Sequence, residues 1–361
     1  METLANIVLL LNISIFFFGQ LLRIQVFNLS VPLIDISLLL LAFTNLVLFV
    51  KKPAKINRYG LFFIILNIFL LLINSTSTNL QSLLYFARLS SLLSLLIFPT
   101  KIFSSKRSKK AFNLILISNI VFSLLQYLIW PDFTYFSSQN WDPHLHRLVG
   151  TFFDPTFTAL IFLFFIIDIY FNLRKNPFQK FLLALSYLAL SFTYSRSSLL
   201  AFTITFIYIF LSQKEYRKII FLIALVTSTI FLLPRKAGEG TKLERSSSIL
   251  AKIENYKNAF SLYQKSPLLG IGYNNISTQR LDKNPTSHAN SAFDSSLLNI
   301  LICTGPLGLF LFLKTFKKQS TRPEILKNSL YIAIFTHSLF ANSLLYPWIL
   351  FYLIYLLKSR K

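Results

Sequence analysis

"FLLALSYLALSFTYSRSSLLAFTITFIYIFLS", residues 181–212, decides how the chain is folded. As one helix it would run roughly 48 Å at ~1.5 Å per residue, too long for a single hydrocarbon core of ~30 Å. Two short spans that turn at Tyr194-Ser195-Arg196-Ser197 fit the length better. The turn carries Arg196, a guanidinium that lipid solvates poorly.

The surrounding composition agrees. Of 361 residues, 54% are hydrophobic, only 14% are charged and 39 are phenylalanine, more apolar material than a soluble core needs. Apolar runs fall near 5–22, 33–50, 61–74, 81–98, 111–130, 153–171, 180–195, 197–212, 219–234, 295–314, 328–342 and 345–357. The expectation is an all-α polytopic membrane protein of about twelve transmembrane helices. Residues 5–22 follow no basic leader and no small-x-small cleavage site, so they read as a retained span.

A net charge of +23 raises the question of nucleic acid, and the placement of the charge answers it. Lys51, Lys52, Lys55 and Arg58 are followed by Lys101, Lys106, Arg107, Lys109 and Lys110, then by Arg174, Lys175 and Lys180. Lys214, Arg217 and Lys218 come next, then Lys314, Lys317, Lys318, Arg322 and Lys327, and the tail Lys358, Arg360 and Lys361. These 23 of the 36 lysines and arginines share one side if both termini do. The short loops opposite hold only Arg23, Arg147 and Arg196. The positive-inside rule then makes both termini cytoplasmic, in a multi-pass protein of the cytoplasmic (inner) membrane, and leaves no basic patch for nucleic acid.

Three regions are expected. Residues 1–130 hold N-terminal spans, 131–314 hold spans six to ten with a large extracytoplasmic loop at 235–294, and 315–361 hold the last spans and a basic tail. In that loop Ile249, Ile253, Tyr256, Phe260 and Tyr263 recur at helical spacing, with serines 246 to 248 at the start and Pro267 at the stop, which predicts an amphipathic helix along the outer surface. Lys252 falls about 60° from the centre of its apolar stripe at ~100° per residue.

Cys303 is the only cysteine, so no intramolecular disulfide forms, and a lone thiol in an apolar run is packing. His144, His146, His288 and His337 show no metal-ligand spacing, and no Walker or dinucleotide glycine pattern occurs. No metal or cofactor is therefore expected. His337, inside the eleventh apolar run, reads as a hydrogen-bond donor between helices. Arg88 lies in the fourth run at roughly 11 Å depth, either snorkelling or facing an outer cavity as a second phosphate contact; Asp168 is at the wrong depth to pair with it.

The segments "RLVGTFFDPTFTA", "TYSRSSLLAF", "YKNAFSLYQKSPLLGIGYNN" and "SHANSAFDSSLLNILICTGPLGL", in this order over roughly residues 147–310, resemble the O-antigen ligase and polymerase superfamily. "HSLFANSLLYPWILFYLIYLL" is also similar to that family's last two spans. The resemblance implies a polytopic enzyme that moves glycan from a polyprenyl-diphosphate-linked donor to an acceptor on a glycan, lipid or protein. It implies outer-face arginines for the pyrophosphate, where Arg196 and Arg147 match, and a loop histidine near the acceptor.

The chain departs from the family at two places. Lys252 stands where relatives often have arginine, so either Lys252 contributes less or Arg245 takes over, because lysine lacks the bidentate fork. Asp154-Pro155-Thr156 stands where many read Asp-Pro-Asn. For the base, His288 and Asp294 both remain: counting back from Gly305 by the family spacing reaches Asp294, while His288 has the pKa suited to accepting a proton near neutrality. Asp294 would otherwise cap the tenth span. A transporter of the same lipid-linked glycan is the rival reading, although it would need charges at mid-membrane rather than at one face.

The charge pattern predicts that a reporter active only outside the cytoplasm works when fused at Gly240 or Pro285 and is silent at Ser105 or Ser320. Silence at Pro285 would place the candidate residues on the cytoplasmic side.

Overall fold

A computed structural model describes residues 2–26, 29–139, 141–172, 176–236, 238–244, 246–280, 292–316 and 323–359. Among them fourteen helices follow in order: α1 (Glu2–Phe18), α2 (Leu33–Lys51), α3 (Arg58–Ile73), α4 (Leu80–Ile97), α5 (Lys106–Ile129), α6 (Pro155–Phe171) and α7 (Pro177–Phe192). Then come α8 (Arg196–Ser212), α9 (Tyr216–Leu232), α10 (Ser247–Lys265), α11 (Ile276–Gln279), α12 (Ser296–Phe316), α13 (Glu324–Ser338) and α14 (Pro347–Lys358). Each of the twelve apolar runs is helical, and the amphipathic pattern after residue 246 is α10. Five segments, Thr3–Leu21, α2, α4, α5 and α12, are long and apolar enough to cross a membrane; α3, α6, α8 and α14 are apolar and shorter. The many apolar helices mark an integral membrane protein.

The 181–212 stretch divides where its length requires. α7 stops at Phe192, Tyr194 takes a left-handed φ of 52°, and Ser195 caps α8 by accepting from the Ser198 N–H at 3.4 Å. A feature that the apolar pattern does not announce is an antiparallel hairpin between α1 and α2, β1 (Arg23–Val26) and β2 (Leu29–Pro32), pairing Arg23 with Pro32 through Val26 with Leu29.

α6 and α14 form the centre. Every residue from Pro347 to Leu357 is buried, and α14 packs against α4, α6 and α2. Helices apolar on all faces belong inside a bundle. Around them α1 packs on α2, α3 on α12 and α8 on α13, while Phe43, Leu72, Ile220 and Phe231 remain exposed on the outer surface, as suits a lipid solvent.

Contacts between connections define two ends. At one, Lys358 Nζ donates to Leu95 O (2.8 Å), the Asn57 N–H to Ile97 O (3.1 Å) and Asn57 Nδ2 to Thr315 O (2.7 Å). The described basic clusters gather here. At the other, Asn275 Nδ2 reaches Thr78 Oγ1 (3.2 Å), Tyr194 Oη donates to Pro234 O (2.7 Å) and Gln20 Nε2 donates to Tyr346 Oη (3.2 Å). The hairpin, α10 and the Tyr194-Ser195 turn all lie at this second end.

α12 is broken in its middle, with Gly305 at φ 66°, outside the helical region. Pro306 has no N–H, so Ile302 O loses its helical donor. The segment after α10 fills the gap: the Ile271 N–H donates to Ile302 O and the Gly272 N–H to Cys303 O, both at 3.0 Å. Approach this close needs glycine, since a Cβ on Gly305 would lie 2.0 Å from Leu268 O, and one on Gly270 (φ 75°) would lie 2.5 Å from the Cys303 backbone. "SPLLGIGYNN" and "CTGPLG" are thus two halves of one joint. Gly305→Ala should cost about 2 kcal/mol or more of stability through strain and overlap. Thermal unfolding in detergent measures it, and a midpoint equal to that of the unsubstituted protein would contradict the joint.

Candidate functional site

The joint at Gly305 sets where α10 lies. Its Lys252 Nζ donates to Phe340 O and stands 3.4 Å from Asp294 Oδ2, and Tyr256 Oη donates to Leu339 O. Both carbonyls sit just past the end of α13, where a helix leaves acceptors without intrahelical donors and a cation is favoured. Asn255 Oδ1 accepts from the Asp294 N–H (3.0 Å). Asn299 grips Phe293, accepting from its N–H and donating to its O, both at 2.8 Å. Lys252 and Asp294 thereby meet as a partly exposed ion pair, with side chains 32% and 52% accessible. The expected capping role of Asp294 is not what the structure shows. Ser295 Oγ accepts from the Leu298 N–H (3.4 Å), one residue nearer the helix, and leaves the Asp294 carboxylate to Lys252.

Arg196 opens α8, where its Nη1 donates to Leu243 O (3.2 Å). Its neighbours Ser197 and Ser198 share hydrogen bonds of 3.3 and 3.0 Å with Nε2 of His337, whose Nδ1 bonds Ser343 Oγ. His337 is fully buried, and its bonds between α8 and the α13–α14 turn match the interhelical role read from the sequence. The same turn is tied to α12, because the Leu344 N–H donates to Ser296 Oγ (2.9 Å). Lys252 is therefore anchored on the 339–344 turn and Asp294 is joined to it through Lys252, while Arg196 is linked to that turn only through Ser197, Ser198 and His337.

Arg147 is buried, with Nε donating to Thr193 O (2.9 Å), and its chain packs so closely on Gly240 that a Cβ there would lie 2.7 Å from Cδ. Asp154, in "FFDPT", caps α6 by accepting from the N–H of Thr156 (2.6 Å) and Phe157 (3.1 Å). Burial raises its pKa, and those two N–H groups and the charge of Arg147 pull it down. His288 and Arg245 lie outside the described residues.

Arg88 stands apart from this group. Its Nε donates to Asp35 Oδ1 (2.7 Å), Nη2 bonds Asp35 Oδ2, and the guanidinium lies 4.5 Å over the Tyr85 ring. The fork is thus turned inward onto a carboxylate of α2, which excludes snorkelling. Asp35 was missed at the sequence level: it opens the second apolar run, roughly 7 Å nearer the surface than Arg88 in the fourth, a gap that the long arginine side chain spans. Close by, Arg23 of the hairpin stacks 5.4 Å from the Trp141 ring and bonds Gln20 and Ser30; burial lowers its pKa.

Fold and site together define a helical membrane protein with a cationic cluster at one end, suited to anionic groups at a bilayer surface. Residues 181–313 match the family described as O-antigen ligase. The match includes Arg196, Arg245, Lys252, His288 and Asp294, and leaves Arg88 and Arg147 outside it. No curated protein matches the chain.

The Asp35–Arg88 pair, with side chains 11% and 13% accessible, yields a stability prediction. Asp35→Asn alone should cost about 3–5 kcal/mol by stranding a buried guanidinium, and Asp35→Asn with Arg88→Gln should recover most of it. Unfolding midpoints in detergent compare the two variants.

Proposed function

We propose that this chain transfers or polymerises glycan from a polyprenyl-diphosphate-linked donor onto an acceptor hydroxyl at the extracytoplasmic face. The placement of Arg196, Lys252 and Asp294 at one end of the molecule, all three within the residues 181–313 that match O-antigen ligase, is the observation that carries this reading. In this proposal α3, α6, α7, α8, α9, α13 and α14 also span, which with the five longer segments gives about twelve crossings. Both termini are then cytoplasmic, and the end with α10 faces outward.

The donor presents a sugar C1–O–phosphate bond at the membrane surface. The acceptor oxygen forms a bond to C1, the C1–O(phosphate) bond breaks, and polyprenyl diphosphate leaves with the electron pair. Arg196 and Arg147 bind the diphosphate oxygens through planar forks that stay charged, and Lys252 adds a point charge. Arg88, held by Asp35, contributes potential rather than a free fork. His288 receives the acceptor proton, and Asp294 holds Lys252 in place. Transport of the same lipid is disfavoured because the cations gather at one end.

Purified protein given a labelled lipid-linked glycan should release polyprenyl diphosphate; movement between leaflets without cleavage would indicate transport. Growth of the chain marks a polymerase, and one transfer to a distinct acceptor a ligase. Arg196→Lys should lose much of the activity and Arg196→Ala nearly all. His288→Ala should abolish turnover with donor binding intact, and a His288→Ala protein that still turns over, beside an inactive Asp294→Asn, would reverse their roles.

A further inference from the structure

The imidazole of His337 is buried completely and bonded at both nitrogens, and none of the steps above uses it. Nε2 meets Ser197 and Ser198, the two residues after Arg196, in the first turn of α8. Nδ1 meets Ser343, in the turn whose Phe340 carbonyl holds Lys252. Ser198 Oγ also donates to Thr156 O (3.3 Å) and shares a bond of 2.8 Å with Ser195 Oγ, so the α8 start is held rigidly from several sides. The His337 carbonyl accepts from the N–H groups of Phe340 (3.0 Å) and Ala341 (3.1 Å), so backbone and ring of one residue shape the turn together.

We propose that His337 is a positioning residue that keeps Arg196 and Lys252 in register with each other, one ring nitrogen serving the helix start that carries Arg196 and the other the turn that seats Lys252. The ring acts by fixing two backbone segments, reaching Ser198 at 139 residues' distance in sequence and Ser343 at six. A diphosphate bridging two cations is sensitive to their spacing, because misplacement on the order of 1 Å can cost a hundredfold where geometry matters. The inference rests on the proposed binding of diphosphate by Arg196 and Lys252.

The two arms separate by substitution. An asparagine amide nitrogen sits near the place of Nδ1 and a glutamine amide near that of Nε2. His337→Asn therefore keeps Ser343 and releases Ser197 and Ser198, and His337→Gln does the reverse. The test measures binding of polyprenyl diphosphate to the full chain in detergent, with unfolding midpoints as the fold control. Each single variant should weaken binding roughly tenfold, equivalent to a coupling of about 1.4 kcal/mol. His337→Asn should have no further effect in an Arg196→Ala background yet add fully to Lys252→Met; His337→Gln should show the opposite pattern. If His337→Asn does not fold, Ser197→Ala with Ser198→Ala cuts the same arm from α8.

Equal additivity in all four combinations, or unchanged binding in both single variants, would overturn the inference alone. Binding by Arg196→Ala equal to that of the unsubstituted protein would overturn the diphosphate reading and this inference with it.

Discussion

Ile302 O has no helical donor, because Pro306 has no N–H to give it, and the end of the molecule that carries α10 is organised around meeting that need. Inside an apolar bundle an unpaired carbonyl costs several kcal/mol, so some other backbone must come to it. The 266–272 segment does so, and in doing so fixes the C-terminal end of α10. The same logic then repeats at the end of α13, where the carbonyls of Leu339 and Phe340 take side-chain donors from α10. Two helix interruptions thus help the buried Ala259 and Leu262 to hold a loop helix across the end of the bundle.

The cations of the site share a way of being held. Arg147 donates to Thr193 O, Arg196 to Leu243 O and Lys252 to Phe340 O. A main-chain carbonyl orients a cation without cancelling its charge, whereas a carboxylate does both. Asp294 approaches Lys252 from a half-exposed position where solvent and salt screen the pair. Arg88 received the other treatment, a bidentate carboxylate that commits its fork.

Helix positions were legible because each apolar run is long relative to its breaks, and the 181–212 stretch could be divided by length alone. The amphipathic helix was legible from its spacing, and Lys252 and Asp294 were legible as candidates through the family's motif order. Their meeting was not, since residues 252 and 294 approach only after α10 folds back on α12. The hairpin was hidden because "RIQVFNLSVP" carries neither a helical period nor a strict alternation. The Asp35–Arg88 pair was hidden because the two residues lie 53 apart in different apolar runs and at different depths, and meet only because the arginine side chain is long enough to reach towards the helix end. The kink in α12 was written in Gly305-Pro306, but what docks into it depended on Gly270 and Gly272, a loop away.

The Asp35–Arg88 pair also bears on how the chain is made. A carboxylate or guanidinium entering a bilayer alone costs about 2.5–3.5 kcal/mol during insertion, less near a helix end. Asp35 emerges from the ribosome 53 residues before its partner. Until α4 has been synthesised, α2 holds an acidic group without its arginine partner, which makes full burial of α2 in the hydrocarbon costly. Committed insertion of the first four helices is then a joint event, and the order of translation, rather than the final packing, sets when the N-terminal bundle becomes stable in lipid.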